Sequence, residues 1–272
     1  MNTPTVFPRF FAVVALIALA LRADADPQLT SWFTANSGKY ARIYNAVANP
    51  TLPAPLTTWT RGTTTQASPA YAGVTEINDS PNGVSIRTTG LASDTMGPWP
   101  ANFPSFPTNT ATVYRIPRVP SIPGTKTSVG LGTTGRLVNG VSIYDRRDAF
   151  SYSTANAADA RPNTTFTGDG IWNRDGWHDE GPTFDPSLAH QAGNTYHNHA
   201  QPIGLRFQLG DHVDYNATTN RYTESTAPVT QHSPIIGWAQ DGIPVYGPYG
   251  YSDAERLAAA RGFYRVKAPA IP

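Results

Sequence analysis

All six histidines of the 272-residue chain fall between His178 and His232, and two of them flank one asparagine in the triplet His197-Asn198-His199. If residues 196 to 200 are extended, side chains alternate between faces with a period of two, so His197 and His199 point the same way and can close on one ion. Neutral imidazole is a favoured ligand of first-row transition metals, and an i, i+2 pair brings two such nitrogens together with little loss of chain entropy. At least one further ligand is needed. His190, which precedes His197 across a short turn containing Gly193, and His232, at the start of a later hairpin, are the candidates. His190, His197, His199 and His232 are therefore the expected metal ligands. The opposing reading is that histidines on a polar, aromatic surface simply complete backbone hydrogen bonds. His178 and His212, in polar, turn-like surroundings, are assigned to that role or to solvent.

The chain has no cysteine, which excludes disulfides and thiolate ligands and leaves imidazole, carboxylate and backbone oxygen to hold an ion. Three or four imidazoles without thiolate suit a copper or zinc ion, and the sequence does not separate the two. Carboxylates form the next tier. Asp179, Glu180 and Asp185 lie just upstream of His190, and Asp241 sits in a later turn; one of them could ligate the ion, orient a ligating imidazole or serve as a general base. Asp179 and Asp241 are the candidate catalytic residues, although Asp241 is equally explained by the Asp-Gly turn it begins. Asn173-Arg174-Asp175-Gly176 resembles part of a calcium loop, but Ile171 and Pro182 stand where that loop needs its first aspartate and last glutamate. Gly-x-Ser-x-Gly, HExxH and glycine-rich phosphate loops are all absent from the sequence. Trp172, Trp177, Tyr196, Trp238, Tyr246 and Tyr249 surround the histidine region in the sequence, either as a groove for carbohydrate or peptide or as packing residues of a β fold.

The elements that must position these residues are short. With 25 prolines and 23 glycines, long helices are disfavoured and the composition predicts a mainly β, sandwich-like single domain of short antiparallel strands and hairpins, with a short C-terminal helix. Residues 1–25 carry Arg9, an apolar run from Phe10 to Leu21 and Ala23-Asp24-Ala25, the pattern of a cleaved signal peptide. Cleavage near Ala25 implies a secreted or periplasmic protein, and no later stretch is long and apolar enough for a membrane span. The mature chain then carries 18 basic and 18 acidic residues, so no nucleic acid partner is expected. Residues 26–72 read as an N-terminal helix or arm followed by a Thr/Pro-rich connector: the helix would run from Asp26 to about Tyr44 with Thr30 as N-cap, and Asn49 to Ala72 would be loop. A β domain follows over 73–262, and 263–272 form a C-terminal tail.

Within the β domain, Gly83 to Arg87 and Thr112 to Ile116 alternate as strands, and the intervening segment from Pro98 to Pro107, with Trp99, Phe103 and Phe106, reads as an aromatic loop packed on a surface. Asn139-Gly140 and Asp241-Gly242, each between apolar runs, predict two hairpins with type I′ turns. The two align without gaps at an offset of 102 residues, Gly135 on Gly237 and Tyr144 on Tyr246, which is either an internal repeat or convergence on one turn. Ser252-Asp253-Ala254-Glu255 is a capping box for a short helix closed by Gly262.

Four blocks between about Val113 and Ser252 resemble a known group. They are Val113-Tyr114-Arg115-Ile116-Pro117; Val138 to Asp145 with Asp148; His190 with Tyr196-His197-Asn198-His199; and His232-Ser233-Pro234-Ile235-Ile236-Gly237-Trp238 running into Asp241 to Pro248. Together they are similar to the YHYH-domain family of exported proteins, a group without a settled activity. Asn198 departs from the motif, which has tyrosine there; because residue 198 faces away from the two histidines on a strand, chelation should be unaffected. Members often carry a cysteine just before the position of His190, and its absence here argues against a thiol role.

These readings converge on an exported β domain with a histidine-based copper or zinc site of structural, storage or redox purpose. Two others stand beside it. One is a metal-dependent hydrolase or oxidoreductase acting on an envelope or extracellular polymer, with an open metal position and Asp179 or Asp241 as base. The other is a non-metal structural or surface-interaction domain whose histidines do not converge.

Overall fold

The computed structural model describes residues 26–34, 38–45, 54–100, 102–122, 124–125, 127–161, 164–251 and 263–265. The expected signal peptide, the helix expected over 252–262 and most of the tail lie outside these residues. The described chain is mainly β, built from several small sheets with short helices and no closed barrel. Among the described residues, no helix is long and apolar enough to cross a membrane.

The long N-terminal helix does not form. Asp26 is the N-cap, its Oδ1 accepting from the Gln28 amide at 2.9 Å, and Pro27 opens a single turn, α1 (Pro27–Thr30). The chain then leaves the helix because Trp32 is buried in the core and the Phe33 amide donates to the Val138 carbonyl at 2.7 Å. Strand β1 (Arg42–Ile43) follows, and the expected connector contains a hairpin, β2 (Trp59–Arg61) with β3 (Thr64–Gln66). Here Trp59 is buried and donates from Nε1 to the Pro107 carbonyl at 2.6 Å, an anchor that loop composition does not reveal. Next come β4 (Val74–Ser80), β5 (Gly83–Thr88), β6 (Thr95–Met96) and β7 (Thr112–Pro117). β4, β5 and β7 form one antiparallel sheet, while β6 pairs in parallel with β1. Alternation in β5 buries Val84, Ile86 and Thr88. The aromatic loop is buried too, through Trp99 and Phe106. Trp32, Ile43 and Trp59 share one hydrophobic cluster with Val84, Trp99, Leu137, Tyr196 and Trp238.

The second half is organised on a six-stranded sheet. Its strands come from β8 (Thr133–Leu137) and β9 (Ser142–Tyr144), from β13 (His190–Ala192) and β14 (Thr195–Asn198), and from β17 (Ile235–Ala239) and β18 (Pro244–Tyr246), in the order β13-β14-β9-β8-β17-β18. Between β9 and β13 lie β10 (Arg147–Ser153), β11 (Ala158–Asp159), β12 (Asn173–Asp175) and the short helix α2 (Gly176–Glu180) with its 3₁₀ turn Gly181–Thr183. Between β14 and β17 lie α3 (Ile203–Gln208) and a hairpin, β15 (Val213–Asn216) with β16 (Arg221–Glu224); β19 (Tyr249–Tyr251) pairs with β20 (Phe263–Arg265).

Both expected hairpins form, with a different turn. Gly140 (φ 81°) and Gly242 (φ 85°) are left-handed, whereas Asn139 and Asp241 are not. The Gly140 amide donates to Leu137 O at 2.7 Å and the Leu137 amide to Val141 O at 2.8 Å; Gly242 and Ala239 repeat this at 3.0 and 2.9 Å. This is a three-residue loop, a type I turn closed by a left-handed glycine, in place of a type I′ turn. The two hairpins also pair with each other about a local two-fold: β8 lies antiparallel to β17 with Arg136 opposite Trp238, flanked by Leu137 with Gly237 and Gly135 with Ala239. The hydrogen bonds from Val138 to Ile236 and from Gln240 to Thr134, both 2.9 Å, exchange under the offset of 102 residues. The two hairpins thus correspond in their pairing as well as in sequence.

Candidate functional site

The β13–β14 hairpin sets the site. Its register places His190 directly opposite His197, so both imidazoles stand on one face. β14 is then pinned to β9 in parallel, His197 against Ser142. His199 lies just beyond the strand and is tied by Nδ1 to the Asp145 carbonyl at 2.6 Å. Glu180 arrives from outside the sheet at the end of α2, a helix capped by Asp175 and held by the Gly176 amide on the Arg146 carbonyl at 2.6 Å. Gly176 is required by close approach, because a Cβ there would sit 3.1 Å from both His199 Nδ1 and Arg146 O.

Glu180, His190, His197 and His199 each offer one ligand atom, and these atoms lie within 4.8 Å of one another. Glu180 Oε2 is 2.9 Å from His190 Nε2 and 3.0 Å from His199 Nε2. His197 Nε2 and His199 Nε2 are 3.1 Å apart. Every Nδ1 is turned outward onto an oxygen. His197 meets the Thr195 carbonyl at 3.0 Å, His199 meets Asp145 O, and His190 meets Thr183 Oγ1 at 2.7 Å. The Thr183 hydroxyl itself donates to the Glu180 carbonyl at 2.6 Å, so it accepts from His190. Each Nδ1 therefore carries a proton, and three Nε2 lone pairs and a carboxylate face each other. Such a gathering of acceptors requires a cation between them, either protons or a metal ion.

The electrostatics agree with that geometry. Burial alone would raise the Glu180 carboxyl, but where protons occupy the Nε2 face, hydrogen bonds from His190, His199 and Asp148 outweigh it and hold the group far below the usual carboxylate range. Burial, followed by the neighbouring His190 charge, pushes the His197 imidazole down to about 3. Burial acts the same way on His199, yet Glu180 and the Asp145 carbonyl reverse it and raise the group. Asp148, buried beside Asp179 and Glu180, is pushed up to about 7 by burial first and by those two carboxylates next.

Aromatic rings wall the group. Tyr144 stacks on His197 at 3.8 Å between centroids, and Phe184 and Phe103 approach His190 at 4.8 and 5.9 Å. A cleft of about 570 Å³ opens beside the imidazoles, bounded by Phe103, Leu131, Tyr144, Phe150 and Arg161. On the opposite face of β14, Tyr196 OH meets Asp185 Oδ2 at 2.7 Å, and the Asn198 carboxamide donates to the Leu188 carbonyl at 2.9 Å and the Ser187 carbonyl at 3.3 Å. The alternate residues of Tyr196-His197-Asn198-His199 thus hold the loop that delivers His190.

Of the four expected ligands, His190, His197 and His199 meet and His232 does not. Its Nδ1 lies 2.6 Å from the Ser233 carbonyl and its ring packs on Tyr246 and Tyr251, because β17 runs on the far side of the β8–β9 hairpin from β14. The fourth position belongs to Glu180. Asp179, one residue earlier, turns to Arg161 at 2.7 Å at the edge of the cleft, and that guanidinium lowers its pKa. Asp241 lies exposed in its turn, where its Oδ1 accepts from the Ile243 amide at 3.4 Å. Asp185 is buried behind the strand. Glu180 is one of the carboxylates expected near the ion, whereas Thr183 and the Asp145 carbonyl are what spacing along the chain does not single out, since a 3₁₀ turn and the link from β9 to β10 deliver them.

A family model described as "YHYH protein" matches residues 113–268, which include all four residues of the group. No curated protein and no solved structure matches the chain.

Proposed function

We propose, for a chain that belongs to the YHYH protein family, that it holds one divalent copper or zinc ion on His190, His197, His199 and Glu180 and works outside the cytoplasm. The observation that supports this most strongly is the outward commitment of all three Nδ1 atoms, which leaves three Nε2 atoms and Glu180 Oε2 aimed at one point. Three neutral imidazoles with one carboxylate and no thiolate are a donor set of borderline hardness, suited to these ions. Thr183, Thr195 and Asp145 fix ring orientation, and the Tyr144 and Phe184 rings shield the group from bulk water. The signal-like segment before Asp26 supports export, where both metals are accessible.

The cleft beside the group favours a second reading, in which the ion is catalytic as a Lewis acid or redox centre. There Asp148, adjacent to Glu180, is placed better than Asp179 or Asp241 to hold a proton near bound substrate.

Calorimetric titration of the metal-free full chain with Cu(II) and Zn(II), with elemental analysis of the loaded protein, tests the proposal. One equivalent should bind, the His197→Ala, His199→Ala double variant should bind none, and Glu180→Gln should bind about 10- to 100-fold more weakly. Binding absent from the wild type, or unchanged in the double variant, overturns it.

A further inference from the structure

The cleft is unlike the rest of the site. His190, His197, His199 and Glu180 line it on one side, and most of its remaining exposed surface is apolar, from Phe103, Leu131, Tyr144 and Phe150, with Arg147, Asp148, Arg161, Asp179 and Gln191 between and around them. Leu131 is 52% exposed, so among the described residues this wall faces solvent. The volume of about 570 Å³ accommodates a one- or two-ring molecule.

Charge narrows the occupant further. The two cations at the rim are already paired: Arg147 Nε lies 2.6 Å from Asp145 Oδ1, and Arg161 lies 2.7 Å from Asp179 Oδ1. With both guanidiniums engaged and Asp179 and Glu180 also at the cleft, a phosphate or a second carboxylate on the ligand is matched less well than a single negative charge. A divalent ion on three neutral imidazoles and one carboxylate keeps a single positive charge, which one monoanionic donor neutralises.

We infer that this cleft binds a small phenol, its ring against Phe103, Leu131, Tyr144 and Phe150 and its single oxygen at the Nε2 face of the imidazoles. The seat for the ring stands on the cleft itself, and the oxygen's partner rests on the metal reading above.

The test uses 4-nitrophenol and the full chain, metal-free and after one equivalent of Zn(II), with zinc uptake measured first on the same sample. Calorimetry should show one 4-nitrophenol bound to the zinc-loaded protein. Affinity should fall about tenfold in Phe150→Ala and also fall in Leu131→Ala, a change at an exposed position that leaves folding intact. Phenyl phosphate should bind far more weakly. Zinc uptake without 4-nitrophenol binding, binding that both variants leave unchanged, or phenyl phosphate binding equally well would each overturn the inference and leave the metal reading standing. Binding of 4-nitrophenol that is lost in Phe150→Ala, in a protein that takes up no zinc, would uphold the ring seat and remove zinc from the metal reading. Binding of neither would remove the ring seat and zinc together.

Discussion

Three imidazoles have their Nδ1 atoms anchored outward, and one of the three anchors is a side chain. Thr183 is the one hydroxyl among the three acceptors, the other two being backbone carbonyls. Thr183→Val should therefore weaken metal affinity by about tenfold while His190 stays in place, which competition with a chromophoric chelator would measure; an unchanged affinity would show that His190 needs no anchor. Behind the strand, burial pushes the Asp185 carboxyl up to about 7, although Gly97 and Tyr196 hydrogen bonds oppose it. Between pH 4 and 7 the unfolded chain has lost this proton and the folded chain keeps it, so the contribution to stability declines as pH rises through that window and is level above it. Urea unfolding of the metal-free protein at pH 5 and pH 8 checks the sign. The wild type's advantage over Asp185→Asn should shrink toward pH 8, by up to roughly 1.4 kcal/mol per pH unit inside the window.

At the scale of elements, the site is a hairpin meeting a short helix; the hairpin is legible in the sequence, and Glu180 only as one of several candidate carboxylates. The i, i+2 histidines, His190 across the Gly193 turn and the two glycine-closed hairpins follow from period two and turn chemistry, which act over a few residues. The turn type was misread because Asn-Gly and Asp-Gly suit both a two-residue and a three-residue loop, and pairing decides between them. Glu180 depends on how α2 docks against His199, a contact with no periodic trace in the sequence. The long helix expected from Asp26 failed because Trp32 and Phe33 are drawn into the core, where tertiary burial outweighs helical spacing. The docking of α2 can be tested through Gly176. In Gly176→Ala the new methyl presses on His199 Nδ1 and Arg146 O, so α2 must shift by a few tenths of an ångström. Metal affinity should drop by about tenfold with a stability cost of about 1–2 kcal/mol; an equal loss in a metal-free denaturation assay with full metal affinity retained would place α2 outside the site.

For the whole molecule, an ion that binds only the folded state adds stability by mass action. At free metal one hundred times Kd the gain is about 2.7 kcal/mol, or about 5–10 °C in Tm for a chain of this length. The double variant His197→Ala, His199→Ala should show no such shift in a thermal melt with added zinc. Among the described residues, the local two-fold relating the β8–β9 and β17–β18 hairpins carries no second copy of the site. β14 lies outside β9, whereas β18 ends the sheet and the residue matching Ser142 there is Pro244, which lacks the amide that a further strand would use. His232 consequently sits on the half without the added hairpin. The most direct measurement is an anomalous difference map from a crystal of the zinc-loaded full chain, recorded above and below the zinc edge. The account predicts one strong peak about 2.0–2.1 Å from the Nε2 atoms of His190, His197 and His199, with Glu180 at similar range. A peak on other residues, or none at these four with zinc present in the crystal, would contradict it.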